Sequence, residues 1–201
     1  MTAAKSADRL HSQIAFAKEI DKEKTIERRT LLSDASRFEN DAEHAWHAAL
    51  MAIVLSEYAN EDIDLFKTVT MLLIHDIVEI DAGDTYAYDE QGQASHFERE
   101  QKAANRLFGL LPADQKQFFL SLWQEFEERK TPEAKFARCL DNFQPTMLND
   151  ATGGEMWKRN GIKLSQVLQR NEPSALGSKA LWDYSLEHFI RPHVGEELKN
   201  E

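Results

Sequence analysis

The chain is expected to fold as a compact all-α protein, and three features of its 201 residues carry that expectation. Turn formers are scarce, with 8 Gly and 5 Pro in the whole chain, which disfavours architectures built from many short strands. Long uninterrupted stretches place apolar residues three and four positions apart, the spacing of one helix face. Apolar residues make up 42% and aromatic residues 9% of the sequence, enough to fill a core and too much for general disorder. The length suits one domain spanning 1–201.

Seven helices are predicted, over 6–22, 41–58, 62–80, 95–109, 113–129, 132–149 and 175–190, with a weaker eighth over 162–170. Several starts carry capping signals, because the first amides of a helix need acceptors that particular side chains supply. Asn40 is followed three positions later by Glu43, the spacing of a capping box, and Thr131 precedes Pro132 as an N-cap precedes a first-turn proline. Pro112 with Asp114 opens another helix. Two segments escape the helical pattern, 81–94, rich in Asp, Gly and Tyr, and 152–161, TGGEMWKRNG. Both read as ordered loops beside a site, or else as plain connections between helices. No internal repeat is visible.

Lys and Arg number 24 against 35 Asp and Glu, a net charge of −11, which repels phosphate backbones and anionic lipid. Nucleic-acid polymers and membranes are therefore not expected partners. Cys139, the single cysteine, cannot form an intramolecular disulfide, and no apolar run approaches the roughly 20 residues a membrane helix needs. The start, MTAAKSADRLHSQ, has no apolar core of a secretory signal. A cytoplasmic location is the resulting expectation.

Three helices turn ligand-type residues toward the core. In MLLIHDIVEI, the positions of Leu72, His75, Asp76 and Glu79 form one stripe, and the flanking Leu73, Ile74, Ile77, Val78 and Ile80 leave almost no hydrophilic side for the ionisable groups. His44 shares a stripe with Ala48, Met51 and Leu55, and Asp141 one with Ala134, Ala137 and Leu148. A lone inward histidine is more often a core residue bonded to a carbonyl, and that reading is kept for His47, His96 and His188. Burying several ionisable groups on three helices costs several kcal/mol unless they are compensated. A divalent cation held by imidazole nitrogens and carboxylate oxygens offsets all these costs at once, and the mixed donor set suits Mn, Fe, Co, Ni or Zn better than Ca.

His44, the doublet His75-Asp76 and the later Asp141 resemble the H…HD…D signature of the HD-domain metal-dependent phosphohydrolases. The surrounding ENDAEHAWHAALMA, LLIHDIVEIDAGD and EAKFARCLDNFQP are similar to the branch containing the 5′-deoxynucleotidases and the HD-domain-containing protein 2 group. The resemblance covers about 28–150, and 151–201 reads as a helical extension. It implies a compact HD-domain helical fold, commonly a homodimer, that hydrolyses deoxynucleoside 5′-monophosphates to deoxynucleoside and phosphate. It further implies His44, His75, Asp76 and Asp141 as metal ligands, Glu79 and Asp84 as catalytic residues and Arg29 as the holder of the substrate phosphate; because an acidic chain needs a local guanidinium to bind a dianion, Arg37 is the next choice after Arg29. Where deoxynucleotidase members have an aromatic residue after that arginine, this chain has Thr30, a departure that bears on sugar discrimination.

The expected chemistry follows from the resistance of a phosphomonoester dianion to attack: its charge must be neutralised and water activated, and a divalent ion, Mn, Co, Fe, Ni, Zn or Mg, does both. Glu79 is expected to orient water or protonate the leaving oxygen, and Asp84 to bond water or a sugar hydroxyl. A second metal on His47 and His96, and base stacking by Tyr86, Tyr88 or Trp157, are alternative readings of the same region. Alternative substrates are nucleoside triphosphates, cyclic nucleotides or alarmones, against which stands the scarcity of basic residues near the motifs. A reading from another class is a noncatalytic module stabilised by its metal.

Overall fold

The computed structural model describes residues 3–84 and 96–200, and helices dominate them. Helix α1 (Ala3–Glu19) tightens into a 3₁₀ turn over Ile20–Thr25, and the chain then extends into β1 (Glu27–Leu31), which pairs antiparallel with β2 (Phe38–Asn40). This small sheet is an addition to the all-α expectation. Its register pairs Glu27 with Asn40 and Leu31 with Phe38, so a bulge interrupts the ladder between them.

Asn40 ends β2 and caps α2 (Asp41–Leu55), its side chain accepting from the Glu43 amide while Glu43 accepts from the Asn40 amide. Asp64 caps α3 (Leu65–Ile74) in a similar way. The helix expected over 62–80 then breaks: Asp76–Val78 is a 3₁₀ turn, followed by the short α4 (Glu79–Ala82). A 3₁₀ turn eclipses residues three apart, which brings Asp76 and Glu79 to one side. Leu73 on α3 is exposed at 45%, so the helix is not buried all round as its composition implied. Gly83, at φ 75°, ends α4 in a conformation that side chains rarely adopt.

Beyond residue 95, α5 (His96–Leu107) and α6 (Ala113–Glu128) lead to α7 (Pro132–Ala151), which begins at the Thr131 cap and the first-turn Pro132. Pro112 precedes α6, without a side-chain cap bond. Pro145 lies inside α7, and having no N–H it leaves the carbonyl of Asp141 without its helical partner. The 152–161 segment is not a loop throughout: α8 (Glu155–Asn160) forms within it between two left-handed glycines, Gly154 and Gly161. Then come α9 (Leu164–Asn171) and α10 (Lys179–Ser185), the latter capped by Ser178, so the helix expected from residue 175 starts later and ends in a π turn at Leu186–Ile190. Gly177 permits the closest approach in this region, since a Cβ there would lie 2.2 Å from the Lys135 carbonyl oxygen.

The main apolar cluster joins α2, α3, α6 and α7 around Met71, Leu72, Phe108, Trp123, Phe136 and Leu140. A smaller cluster under the C-terminal segments contains Trp157, Val167, Ile190 and Leu198. Among the described residues no helix is long and apolar enough to cross a membrane.

Candidate metal centre

Helices α2 and α7 and the break after α3 deliver four polar groups to one buried place. His44, on the first turn of α2, has its Nε2 3.0 Å from Asp141 Oδ1, and His75 Nε2 lies 3.4 Å from the same oxygen. Asp76 adjoins them, its Oδ1 3.3 Å from His75 Nε2 and its Oδ2 3.9 Å from His44 Nε2. His44, His75 and Asp141 each offer a donor atom, all within 4.8 Å of one another.

The other side of each imidazole decides what it presents to this cluster. His44 Nδ1–H donates to Gln144 Oε1 at 2.9 Å, and His75 Nδ1–H donates to the Leu72 carbonyl at 2.8 Å. A neutral imidazole carries one N–H, so in its neutral form each ring turns an Nε2 lone pair toward a carboxylate oxygen. His75 Nε2 is buried with no hydrogen-bond partner. Buried lone pairs facing one another need a cation or a proton between them. Two imidazoles and two carboxylates are a donor set that fits a divalent transition ion, and the carboxylates are also held from outside: Arg138 Nη1 donates to Asp141 Oδ2 at 2.9 Å and Arg28 Nη1 to Asp76 Oδ2 at 2.6 Å.

Arg28 anchors a second layer of charge. The same Nη1 reaches Asp41 Oδ1 at 3.0 Å, and Arg28 Nε lies 3.9 Å from Glu39 Oε2. Burial would lower the guanidinium pKa, but Asp76, Glu79 and Asp41 outweigh it and hold the group firmly charged. The acids around it outnumber it. Burial and then Asp76 push Glu23 up to about 8 and Asp41 up to about 7, and burial pushes Glu39 up to about 7 against the pull of Arg28. Burial, with Asp76 and Asp41, holds the Glu79 carboxyl well above its ordinary range, so Glu79 is the proton holder of its hydrogen-bonded pair with Asp41. Asp84, just past Gly83, is raised by burial and pulled back by Arg28.

The arginines behave differently from one another. Arg28 and Arg29 are neighbours on β1, whose alternation turns Arg28 inward and leaves Arg29 exposed, close enough to Asp84 to lower its carboxyl slightly. Arg37 is at the surface and occupied by Glu43, through contacts of 2.8 and 2.5 Å, so it is not among the groups brought to the cluster. His47 bonds Gln144, and the His96 side chain, Tyr86 and Tyr88 lie outside the described residues. Trp157 is 2% exposed and packs on His193, which removes it as a base-stacking surface. Sequence reasoning missed Arg28, Glu39, Asp41 and Gln144. The one-turn spacing from Asp141 to Gln144 was the available signal.

Residues 20–182 match the HD domain family, and the chain belongs to it. A solved structure of a protein described as a predicted metal-dependent phosphohydrolase, from Magnetospirillum magnetotacticum MS-1, is similar at a TM-score of 0.86 and 50% identity, across 92% of this chain and 94% of that one. Curated relatives include the 5′-deoxynucleotidase HDDC2 of Bos taurus, 34% identical over 51% of this chain and 49% of its own length. The Homo sapiens protein of the same name is 31% identical over 54% of this chain and 52% of its own. The chain thus spans about half the length of these curated relatives.

Metal loading should be linked to pH through His75. Burial pulls this imidazole down, but Asp76 and Asp141 outweigh it and carry it up to about 9. Below that pH the metal-stripped protein holds a proton at Nε2, which a cation must displace. Loading with Mn or Co at neutral pH is expected to release at least one proton, read by calorimetry in buffers of different ionisation enthalpy. Apparent affinity should rise about tenfold per pH unit below pH 9 and level off above it. A flat affinity through neutrality contradicts this account.

Proposed function

We propose that the chain is a metal-dependent phosphohydrolase that converts nucleoside 5′-monophosphates, with deoxy sugars preferred, to nucleoside and phosphate. The observation that carries the reading is the convergence of His44, His75, Asp76 and Asp141 on one buried place whose facing lone pairs call for a cation. Membership of the HD domain family and the names of the similar proteins support it. In this reading the four residues hold the ion, whose identity among Mn, Co, Fe, Ni, Zn and Mg is open to assay. When bound, such an ion supplies Lewis-acid chemistry, drawing charge from phosphate oxygens and making water more acidic.

The chain's own residues supply the rest of the chemistry. Glu79, held protonated by burial and by Asp76 and Asp41, is placed in the reading as the donor of a proton to the leaving 5′ oxygen. Asp84 orients water or a sugar hydroxyl. Arg29, exposed and electrostatically close to Asp84, takes the phosphate oxygens, for which a guanidinium fork is well matched. Arg37 would have to leave Glu43 to do so. The reading treats 1–201 as one HD-type domain and sets it in the cytoplasm, acting on small phosphate esters and not on nucleic-acid polymers.

Phosphate release from a panel of the four deoxynucleoside monophosphates, their ribo counterparts, a triphosphate, a cyclic nucleotide and an alarmone, on metal-stripped protein with Mn, Co, Mg or Zn restored, tests this. Turnover is expected for the deoxy monophosphates, and Glu79→Gln should lower kcat by about 10²- to 10⁴-fold with metal content unchanged. Equal use of ribo and deoxy monophosphates would remove the sugar preference. Turnover confined to the other esters would move the substrate, and none with any metal would favour a noncatalytic metal-stabilised module.

A homodimer belongs to the same proposal. Trp46, Leu50, Ile53 and Val54 form an exposed apolar stripe on α2, next to Phe66 and Leu73 on the packed neighbour α3. Such a stripe is suited to an isologous contact with a second copy. Sedimentation is expected to show a dimer that Ile53→Glu converts to monomer, whereas a monomeric parent would overturn the assignment.

A further inference from the structure

Gln144 lies on α7 three residues beyond Asp141, so one helical turn presents both side chains to the same region. It is fully buried, and both of its amide atoms are engaged: Oε1 accepts from His44 Nδ1 at 2.9 Å, and Nε2 faces Glu39 Oε1 at 2.6 Å and His47 Nδ1 at 3.2 Å. These partners leave the amide one orientation. With Glu39 ionised its oxygens donate nothing, so the contact with Glu39 takes the N–H from the glutamine side, and that turns Oε1 toward His44. Facing a carbonyl oxygen, His44 Nδ1 must carry its proton, and the lone pair of the ring is then at Nε2, 3.0 Å from Asp141.

Glu39 is itself positioned, not incidental. It is 2% exposed on β2, with its second oxygen 3.9 Å from Arg28 Nε, and the same guanidinium grips Asp76. The strand pair therefore reaches residues on two separate helices through one arginine and one glutamate.

We propose that Glu39 and Gln144 are positioning residues for the metal centre: the chain Glu39 to Gln144 to His44 locks His44 in its Nδ1–H tautomer and so sets the site's affinity for a divalent ion. The inference rests on the reading of His44 as a metal ligand. It assigns to a buried glutamate and glutamine, neither of which touches the ion, a function beyond packing: without them the His44 ring is free to turn its N–H toward Asp141 and satisfy that oxygen with a proton.

The test measures Co(II) affinity by competition with a chelating dye, together with the nitrogen NMR shifts of His44 in ¹⁵N-histidine-labelled, metal-stripped protein, identified by their loss in His44→Ala. The parent should show the Nδ1–H tautomer. Gln144→Leu should weaken Co(II) binding about 10- to 100-fold and shift the His44 signals toward the Nε2–H form. Glu39→Gln, which frees the Gln144 amide to invert, should move both readouts in the same direction by less. The double exchange Glu39→Gln with Gln144→Glu keeps a donor facing an acceptor at both contacts, and it should recover the parent tautomer and most of the affinity. If Gln144→Leu does not fold, the Glu39→Gln variant and the double exchange carry the comparison alone. Parent-like affinity and tautomer in every folded variant would overturn the proposal, as would an Nε2–H tautomer in the parent. A parent that binds no Co(II) would instead overturn the reading of the metal centre itself.

Discussion

Two imidazole nitrogens and a carboxylate oxygen meet in one buried place, with His44 Nε2 and His75 Nε2 both directed at Asp141 Oδ1. Much of the surrounding architecture follows from the need to make that arrangement tolerable. The Leu72 carbonyl and Gln144 fix the far side of each ring, and Arg138 and Arg28 hold the outer oxygens of Asp141 and Asp76. Outer partners of this kind set ring orientation and ligand basicity at metal sites, and here each of the four inward groups has one.

The cost is carried by local departures from regular structure. The chain after α3 tightens into a 3₁₀ turn at Asp76–Val78, and His75, Asp76 and Glu79 are all buried around it. Pro145 leaves the Asp141 carbonyl without its helical bond, at the residue whose side chain meets both histidines. The bulged strand pair brings Arg28 and Glu39 into a region otherwise built of helices. Arg28 then sits among more carboxylates than it can neutralise, which is why burial raises Glu23, Glu39, Asp41 and Glu79 together. Added positive charge at the centre would lower the cost of every one of these groups.

The helical class and the inward placement of His44, His75, Asp76 and Asp141 were legible in the sequence because stripe arguments depend only on spacing within one helix. Asn40 with Glu43 and Thr131 with Pro132 were legible as caps for the same reason. The strand pair was not, since β1 carries two arginines and a bulge in place of a clean alternation. Without the strand there was no ground to separate Arg28, which turns inward, from Arg29, which does not. The break in the 62–80 helix was hidden too, because an unbroken apolar run does not reveal a change from 3.6 to 3.0 residues per turn. Gln144 was missed because its role depends on Glu39, which lies 105 positions away in the chain.

The most direct test is an anomalous difference map from crystals of the protein loaded with Mn. The account places a single peak within bonding distance of His44 Nε2, His75 Nε2 and oxygens of Asp76 and Asp141. A peak among the carboxylates around Arg28 with the two histidines unligated, or no peak with the imidazoles still turned toward Asp141, would contradict it.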